Sequence, residues 1–389
     1  MNSKRFWILV IIVFISGLSQ GMLLPLMAVL LEQRGIASSI NGLHATGLYI
    51  GVLLASPFME GPLRKFGYKP LILAGGMTVI LSMVSFPLWP NLLFWFLLRL
   101  LIGVGDHALH FSTQTWITTF SEEEKRGRNL SIYGLSYGVG FAVGPLLARL
   151  VTIHEYLPFY TSSFLSLIAW SFVFFLKNEK PAQRESEIDF YSIKSTFGRF
   201  SQVLSLAWAP ILPAFCYGIL EASLNSNFPV FGLRIGFDVN TVTTIVSAFF
   251  IGGIVFQIPL GIISDRIGRK KVLIAVQLLG SFVFLFAGIF SASPLLLIVC
   301  FFVSGMLLGS NFSLSMAYMT DSLPKYLLPA GNLMVGIGFS FGSILGPFAG
   351  GLAIEYLPSA NFLYFIAISL GILSLSMFSY SKSHHGQVK

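Results

Sequence analysis

Residues 94–114 read FWFLLRLLIGVGDHALHFSTQ. As a helix the run is long enough to cross about 30 Å of hydrocarbon and apolar enough to favour doing so. Yet it holds Arg99, Asp106, His107 and His110. A charged side chain at mid-bilayer costs about 2.5–3.5 kcal/mol on insertion scales, so such a group marks a functional site by default. Arg99, Gly103, Asp106, His110 and Gln114 fall at i, i+4, i+7, i+11 and i+15 and make one stripe along the helix. His107 lies about 100° around from Asp106 and flanks that stripe. A polar stripe on an apolar helix faces protein or water, not lipid.

The rest of the chain has the same character: of 389 residues, 55% are hydrophobic, 15% aromatic and only 10% charged. Soluble domains of this size are not composed that way. Apolar runs recur at 6–31, 41–61, 70–89, 92–117, 130–150, 158–177, 207–231, 241–263, 271–291, 294–319, 329–354 and 358–380, which predicts an all-α polytopic membrane protein of twelve spans. The first run follows a basic start, MNSKRFW, but has no small-x-small cleavage site at its end, so it reads as an uncleaved span. Cys216 and Cys300 fall in different spans and read as buried small hydrophobes.

The net charge of +8 is explained by placement. With the N-terminus inside, 20 of the 24 Lys and Arg residues lie on the inner side, Arg34, Arg149 and Arg234 lie outside, and Arg99 remains within a span. By the positive-inside rule both termini are expected in the cytoplasm, in a multi-pass plasma-membrane protein. The charge is an orientation signal and no nucleic-acid footprint.

The longest hydrophilic stretch opens KNEKPAQRESEIDFYSIKSTFGRFSQ and divides the spans six and six. It defines a half at 1–176, a cytoplasmic linker at 177–206 and a second half at 207–389. A shift of 202 residues lays GFAVGPLLA (140–148) on GSILGPFAG (342–350), Gly103 on Gly305 and Gly134 on Gly336. At a shift of 201, LRKFGYK (63–69) falls on SDRIGRK (264–270). Two related six-helix halves in parallel arrangement are a pattern of transporters that rock one half against the other.

The loop between spans 8 and 9 reads GIISDRIGRKKVL, from Gly261 to Leu273. Gly261 would let two helices approach closely, and Asp265 beside Arg266, Arg269 and Lys270 sets opposite charges at an aqueous helix end. The spacing G-x-x-x-D-R-x-G-R-K, which includes Gly268, resembles the loop signature of the major facilitator superfamily. RLLIGVG (99–105) resembles that family's fourth-helix arginine motif, and GVGFAVGP (138–145) its fifth-helix antiporter motif. Pro25 in QGMLLPLM resembles the first-helix proline of twelve-helix drug:proton antiporters. The resemblance covers essentially the whole chain. It departs at EGPLRKFGYK, where Glu60 stands in place of a glycine and Arg64 in place of the aspartate. It departs again in carrying the glycine-proline motif twice, at Gly140, Gly144 and Pro145 and at Gly342, Gly346 and Pro347. Glycines four apart permit tight helix contact, and the proline after them loosens the helix. These residues, with those of the loop motif, are expected to gate and seal.

Span 7, AWAPILPAFCYGILEASLNSNFPVFGL, carries Glu221 about midway with Asn225 one turn on. The resemblance implies that spans 1, 4, 7 and 10 line a central cavity. Asp106 and Glu221 would then stand on opposite walls, with Gln20, Gln114, Ser310 and Asn311 and the rings of Phe111, Tyr217 and Phe228 around them. Proton-coupling candidates are Glu221, Asp106, His110, His107 and Arg99, because a buried carboxylate or an imidazole can load and release a proton near neutrality. The competing reading is structural: Arg99 paired with Asp106, and Glu221 bonded to a neighbouring helix.

The mixed lining suits a lipophilic or amphipathic small molecule better than a sugar. The chain is thus expected to be a secondary active transporter working by alternating access, and specifically a proton-coupled exporter. Import, lipid flipping and transport-dead sensing are the rival readings. A monomer is expected, with membrane lipids around it, no cofactor beyond a proton gradient and no metal. No His-Glu-x-x-His, Gly-x-Ser-x-Gly or phosphate-loop motif points to an enzyme.

Overall fold

A computed structural model describes residues 3–180, 193–324, 327–357 and 361–378. The described part of the linker ends at Lys180 and resumes at residue 193; residues 181–192 lie outside it. The described residues form helices joined by short turns, with no strand among them. The first half comprises α1 (Ser3–Gln33), α2 (Ser38–Ala55), the short α3 (Glu60–Phe66), α4 (Tyr68–Ser85), α5 (Leu92–Phe120), α6 (Glu123–Leu147) and α7 (Leu157–Ser171). After α8 (Ile193–Ala207) come α9 (Ile211–Arg234), α10 (Val239–Ile267), α11 (Arg269–Ile289), α12 (Pro294–Leu308), α13 (Asn311–Ser322), α14 (Leu328–Tyr356) and α15 (Asn361–Phe378).

Among the described residues nine helical segments are long and apolar enough to cross a membrane, and ten if the end of α8 and α9, bent by 95°, are taken as one. The count falls below the twelve runs of the sequence partly because α2 and α9 carry Asn41, His44, Asn225 and Asn227, all buried in protein. A helix surrounded by protein tolerates polar residues that a lipid-facing helix does not. The tenth run is split at Gly309–Ser310 into α12 and α13.

Glycine decides which helices touch. A side chain at Gly140 or Gly144 of α6 would run into the α1 backbone, 2.1 Å from the Phe14 carbonyl and 2.6 Å from that of Leu18. Gly342 and Gly346 of α14 meet α9 in the same way, 2.0 Å from the Phe215 carbonyl and 2.6 Å from that of Ile219. Both copies of the glycine-proline motif therefore weld the first and fifth spans of their own half. Pro145 ends α6 within two residues, whereas α14 runs past Pro347 to Tyr356.

Gly261 does not make the close approach its motif suggested: a Cβ there would meet nothing within 4 Å. The tight contact on α10 falls two turns earlier, at Gly252, where a Cβ would stand 2.1 Å from the Phe302 carbonyl of α12. The motif's second glycine, Gly268, has φ +103° and makes the turn from α10 into α11. Arg269 then bonds Asp321 of α13 and lies 3.1 Å from Asp265. These charges are paired within the second half.

The halves meet through α2 on α14 and α6 on α10. At the end of the bundle far from Ser3, α2 and α14 are pressed together: a Cβ at Gly42 would stand 2.0 Å from the Pro347 carbonyl, and one at Gly351 2.3 Å from that of Ser38. Polar contacts close the same end. Arg234 pairs with Glu32 through Nε–Oε1 at 2.7 Å and Nη2–Oε2 at 3.2 Å. Arg149 donates to the Thr243 hydroxyl at 2.9 Å, and Glu355 accepts from the Ser39 amide at 3.0 Å. Toward the near end Gly134 and Gly336, equivalent under the 202-residue shift, face open space.

Candidate functional site

The apolar body of α5 threads the first half and leaves its polar residues against α1, α2 and α6. The stripe splits between neighbours. Its upper part faces α2: Gly103 lies under the Leu48 carbonyl, and Arg99, only 1% exposed, sets Nη1 3.3 Å from Nδ1 of His44. His44 Nε2 lies 3.1 Å from the Leu92 carbonyl. A carbonyl only accepts, so Nε2 carries the proton and Nδ1 offers its lone pair to the arginine. A neutral histidine is thus the hydrogen-bond partner of the buried guanidinium, and Nε and Nη2 of Arg99 have none.

The lower part of the stripe faces α1 and α6. Asp106 is 6% exposed and accepts from Ser16 Oγ at 2.5 Å and from Gln20 Nε2. His110 Nε2 lies 3.0 Å from Ser16 Oγ and 3.5 Å from Asp106 Oδ2, while Nδ1 lies 2.7 Å from the Tyr133 hydroxyl. One assignment satisfies all of these groups: Tyr133 O–H donates to Nδ1, Nε2–H to Ser16, and Ser16 O–H to Asp106. The result is a directed hydrogen-bond chain from α6 through α5 and α1 to the carboxylate. Gln20 extends it, since Tyr137 donates to Gln20 Oε1 at 3.1 Å. Arg99 and Asp106 are not paired, so the structural reading of that pair does not hold.

Of the other stripe residues, His107 turns aside to Ser56, at 3.1 Å, and stacks on Phe111. Gln114 is exposed.

On α9, Glu221 is partly exposed at the surface turned toward the first half, with Tyr217 within hydrogen-bond reach and Tyr49 and Tyr137 of the first half within electrostatic reach. Asn225 is buried and donates to the backbone carbonyl of Glu221 at 2.9 Å, not to its carboxylate. Phe228 does not line a cavity. It is fully buried in the second-half core, its ring 4.6 Å from that of Phe301, because α9 is enclosed on that side by α12 and α15. Ser310 and Asn311 sit at the break between α12 and α13, 2% and 0% exposed, and also belong to the interior of their half.

His44, Tyr49, Tyr133 and Tyr137 complete the site and were not singled out from the sequence, whereas Ser16, one turn before Gln20, belongs with Ser19 and Gln20 to the polar residues that span 1 carries at the depth of Glu221.

The sequence model of the Major Facilitator Superfamily matches residues 9–245 and 211–388. The chain belongs to the major facilitator superfamily. An uncharacterized MFS-type transporter of Bacillus subtilis (strain 168), YfkF, is 53% identical over 379 residues, spanning 97% of this chain and 95% of that protein. Multidrug resistance protein 2 of the same organism is 22% identical, with 90% of each chain covered. Among solved structures the nucleoside transporter NupG superposes with a TM-score of 0.76 at 16% identity, over 98% of this chain and 100% of that one. A bacterial homologue of the lysosomal transporter Spinster, inward-facing and unoccupied, superposes with a TM-score of 0.75 at 12% identity, over 97% and 94%. These two likenesses concern the fold alone. The superfamily member described here is thus a multi-pass membrane transporter whose halves are closed on each other at the far end.

Proposed function

We propose that this transporter is a proton-coupled exporter of lipophilic or amphipathic small molecules, working by alternating access as a monomer in the plasma membrane. Its termini would lie in the cytoplasm and the proton gradient would be its only energy source. The observation that carries the reading is the pair of intramembrane carboxylates on opposing halves. Asp106 sits in a hydrogen-bonded chain with Ser16, Gln20 and His110, and Glu221 stands partly open among tyrosines. An intramembrane carboxylate without an arginine or lysine partner is a group whose charge is expected to change during the cycle. The tyrosine rings beside Glu221 suit an amphipathic substrate, which would compete with a proton for that carboxylate. The name of the distant B. subtilis relative agrees with export of drug-like molecules. With the near end in the cytoplasm, the conformation described is one that would load substrate from inside.

The test is transport in proteoliposomes with the pH gradient imposed in each direction. Glu221→Gln is expected to abolish gradient-driven flux of an amphipathic fluorescent substrate while leaving the protein folded. Undiminished coupling in that variant removes Glu221 from the mechanism, and flux that follows the gradient inward makes the protein an importer.

A further inference from the structure

Between α11 and α12 the second half carries a groove of about 430 Å³, a volume in the range of small-molecule sites. Leu279, Phe282 and Phe286 of α11 and Val299 of α12 are its exposed walls, with the half-buried Val303 and the buried Cys300 between them. Gly280 of α11 gives Leu308 its place, since a Cβ there would stand 2.7 Å from Leu308 Cδ1. The two helices that wall the groove are therefore fixed to each other by packing within the protein. Neither the central site nor the contact between the halves uses this groove.

Lipid tails are as apolar as leucine, so apolarity alone selects no occupant. Shape and charge do. A chain lying in a groove touches protein on several sides and gains dispersion contact that a flat helix face does not give. The charge lies on the same face of α11: Lys271, Ala275, Leu279, Phe282 and Phe286 follow one another at helical spacing and are all exposed. At 1.5 Å per residue Lys271 stands about 12 Å before Leu279 and about 16 Å before Phe282. One leaflet of hydrocarbon is about 15 Å thick, so a lipid chain that starts at the level of Lys271 ends inside the groove.

Among the described residues Lys271 makes no ion pair, whereas Arg269 is taken by Asp265 and Asp321. Arg266 and Lys270 add positive charge at the same end. At the other end the groove runs toward residues 290–293, FSAS, which carry no charge. We propose that the groove seats an acyl chain of one anionic phospholipid, whose headgroup is held at Lys271 on the near side of the membrane. A zwitterionic headgroup brings its own ammonium to its phosphate, while an anionic one leaves that charge for the lysine. A lysine near the surface is worth about fivefold in affinity for an anionic lipid.

Phe282→Trp puts a fluorescent reporter on the groove wall, and Phe164→Trp puts one on the exposed outer face of α7 as a control. Each full-length variant is reconstituted in phosphatidylcholine vesicles with rising fractions of phosphatidylglycerol brominated on its chains, and in a parallel series with brominated phosphatidylcholine. Quenching is read against wild type, whose own tryptophans set the background. The Phe282→Trp reporter is expected to reach half-quenching at a fraction of phosphatidylglycerol about fivefold lower than of phosphatidylcholine. The Phe164→Trp control is expected to respond to both alike. On the Phe282→Trp background, Lys271→Ala should remove the preference, Lys271→Arg should keep it, and Val303→Phe should remove it by filling the groove.

Equal quenching of the Phe282→Trp reporter by the two lipids overturns the proposal. So does an equal preference at the Phe164→Trp control, which would belong to the whole surface and not to the groove. A preference unchanged in Lys271→Ala, an exposed substitution that leaves the packing alone, overturns it as well and decides the matter if Val303→Phe does not fold. Quenching by both lipids that falls as the protein-to-lipid ratio rises would put a second copy of the chain in the lipid's place and refute the lipid seat.

Discussion

Arg99 and Asp106 lie seven residues apart on one face of α5 and do not pair: the arginine bonds His44 of α2, and the aspartate bonds Ser16 and Gln20 of α1. Each charge therefore has its own support, and the two are separable by mutation. Asp106→Asn keeps a side chain that still accepts from Ser16, so its thermal midpoint is expected to stay within a few degrees of wild type. His44→Ala removes the acceptor from a buried guanidinium, a loss of about 2 kcal/mol. Thermal unfolding of the purified protein should rank His44→Ala well below Asp106→Asn. The opposite order would mean that Arg99 leans on Asp106 after all.

Glycines that the sequence presents alike differ sharply in what they touch. Gly42→Ala would set a Cβ 2.0 Å from the Pro347 carbonyl, where both partners are backbone and neither can step aside. It is expected to destabilise by about 1–3 kcal/mol or to force the far end apart. Gly134→Ala, Gly261→Ala and Gly336→Ala meet open space and exchange a poor helix former for the best one. They should be neutral or stabilising by up to about 1 kcal/mol. Thermal midpoints of the four single variants check the contrast, and Gly261→Ala is the informative one because its motif implied a helix contact.

What the sequence reveals here is periodicity, and what it withholds is the neighbour. The stripe on α5, the repeat at 202 residues and the doubled glycine-proline motif are all regularities of spacing, and each reappears as a helix face or a helix contact. The partner of Arg99 is not local, since His44 lies 55 residues away on a helix that reads as weakly apolar. Phe228 shows the same limit from the other side. Glu221, Asn225 and Phe228 follow i, i+4, i+7 and share a face in sequence. In space α9 is enclosed by several helices, so the ring turns into the second-half core while the carboxylate stays partly open. A stripe specifies a side of a helix, and a helix packed on all sides has no single cavity face.

The departure at Arg64 has a structural counterpart in the linker. Where the family motif places an aspartate in the first-half loop, this chain brings Asn178 and Glu179 back onto that loop. Asn178 accepts from the Lys69 amide at 3.2 Å and donates to the Phe66 carbonyl at 2.8 Å. The Glu179 carbonyl accepts from the Tyr68 amide at 3.0 Å, and its carboxylate bonds Arg5 of α1 and Trp116 of α5. Gly67, with φ +93°, is the hinge of this clamp, and a Cβ there would stand 2.5 Å from the Glu179 carbonyl. Gly67→Ala combines backbone strain with that clash and is expected to cost more than 1 kcal/mol. Asn178→Ala should open the clamp without strain. Limited proteolysis should then cut at the start of the linker faster in both variants than in wild type, and equal rates would deny the clamp its role.

Glu32 and Arg234 are 202 residues apart, the offset that superposes the halves, so equivalent ends of α1 and α9 meet with opposite charges. Two further contacts flank them, Arg149 on the start of α10 and Glu355 on the start of α2. If the halves rock, these contacts break when the far end opens. An exposed ion pair is worth about 0.2–1 kcal/mol, which shifts a two-state equilibrium by roughly 1.4- to 5-fold. Glu32→Ala and Arg234→Ala are therefore expected to raise, within that range, the labelling rate of a cysteine placed at Val239, a buried position at the start of α10. The exchanged pair Glu32→Arg with Arg234→Glu should return the rate toward wild type, since attraction is restored with the signs reversed. A double exchange that labels as fast as the single variants would show that attraction between these two positions does not hold the far end.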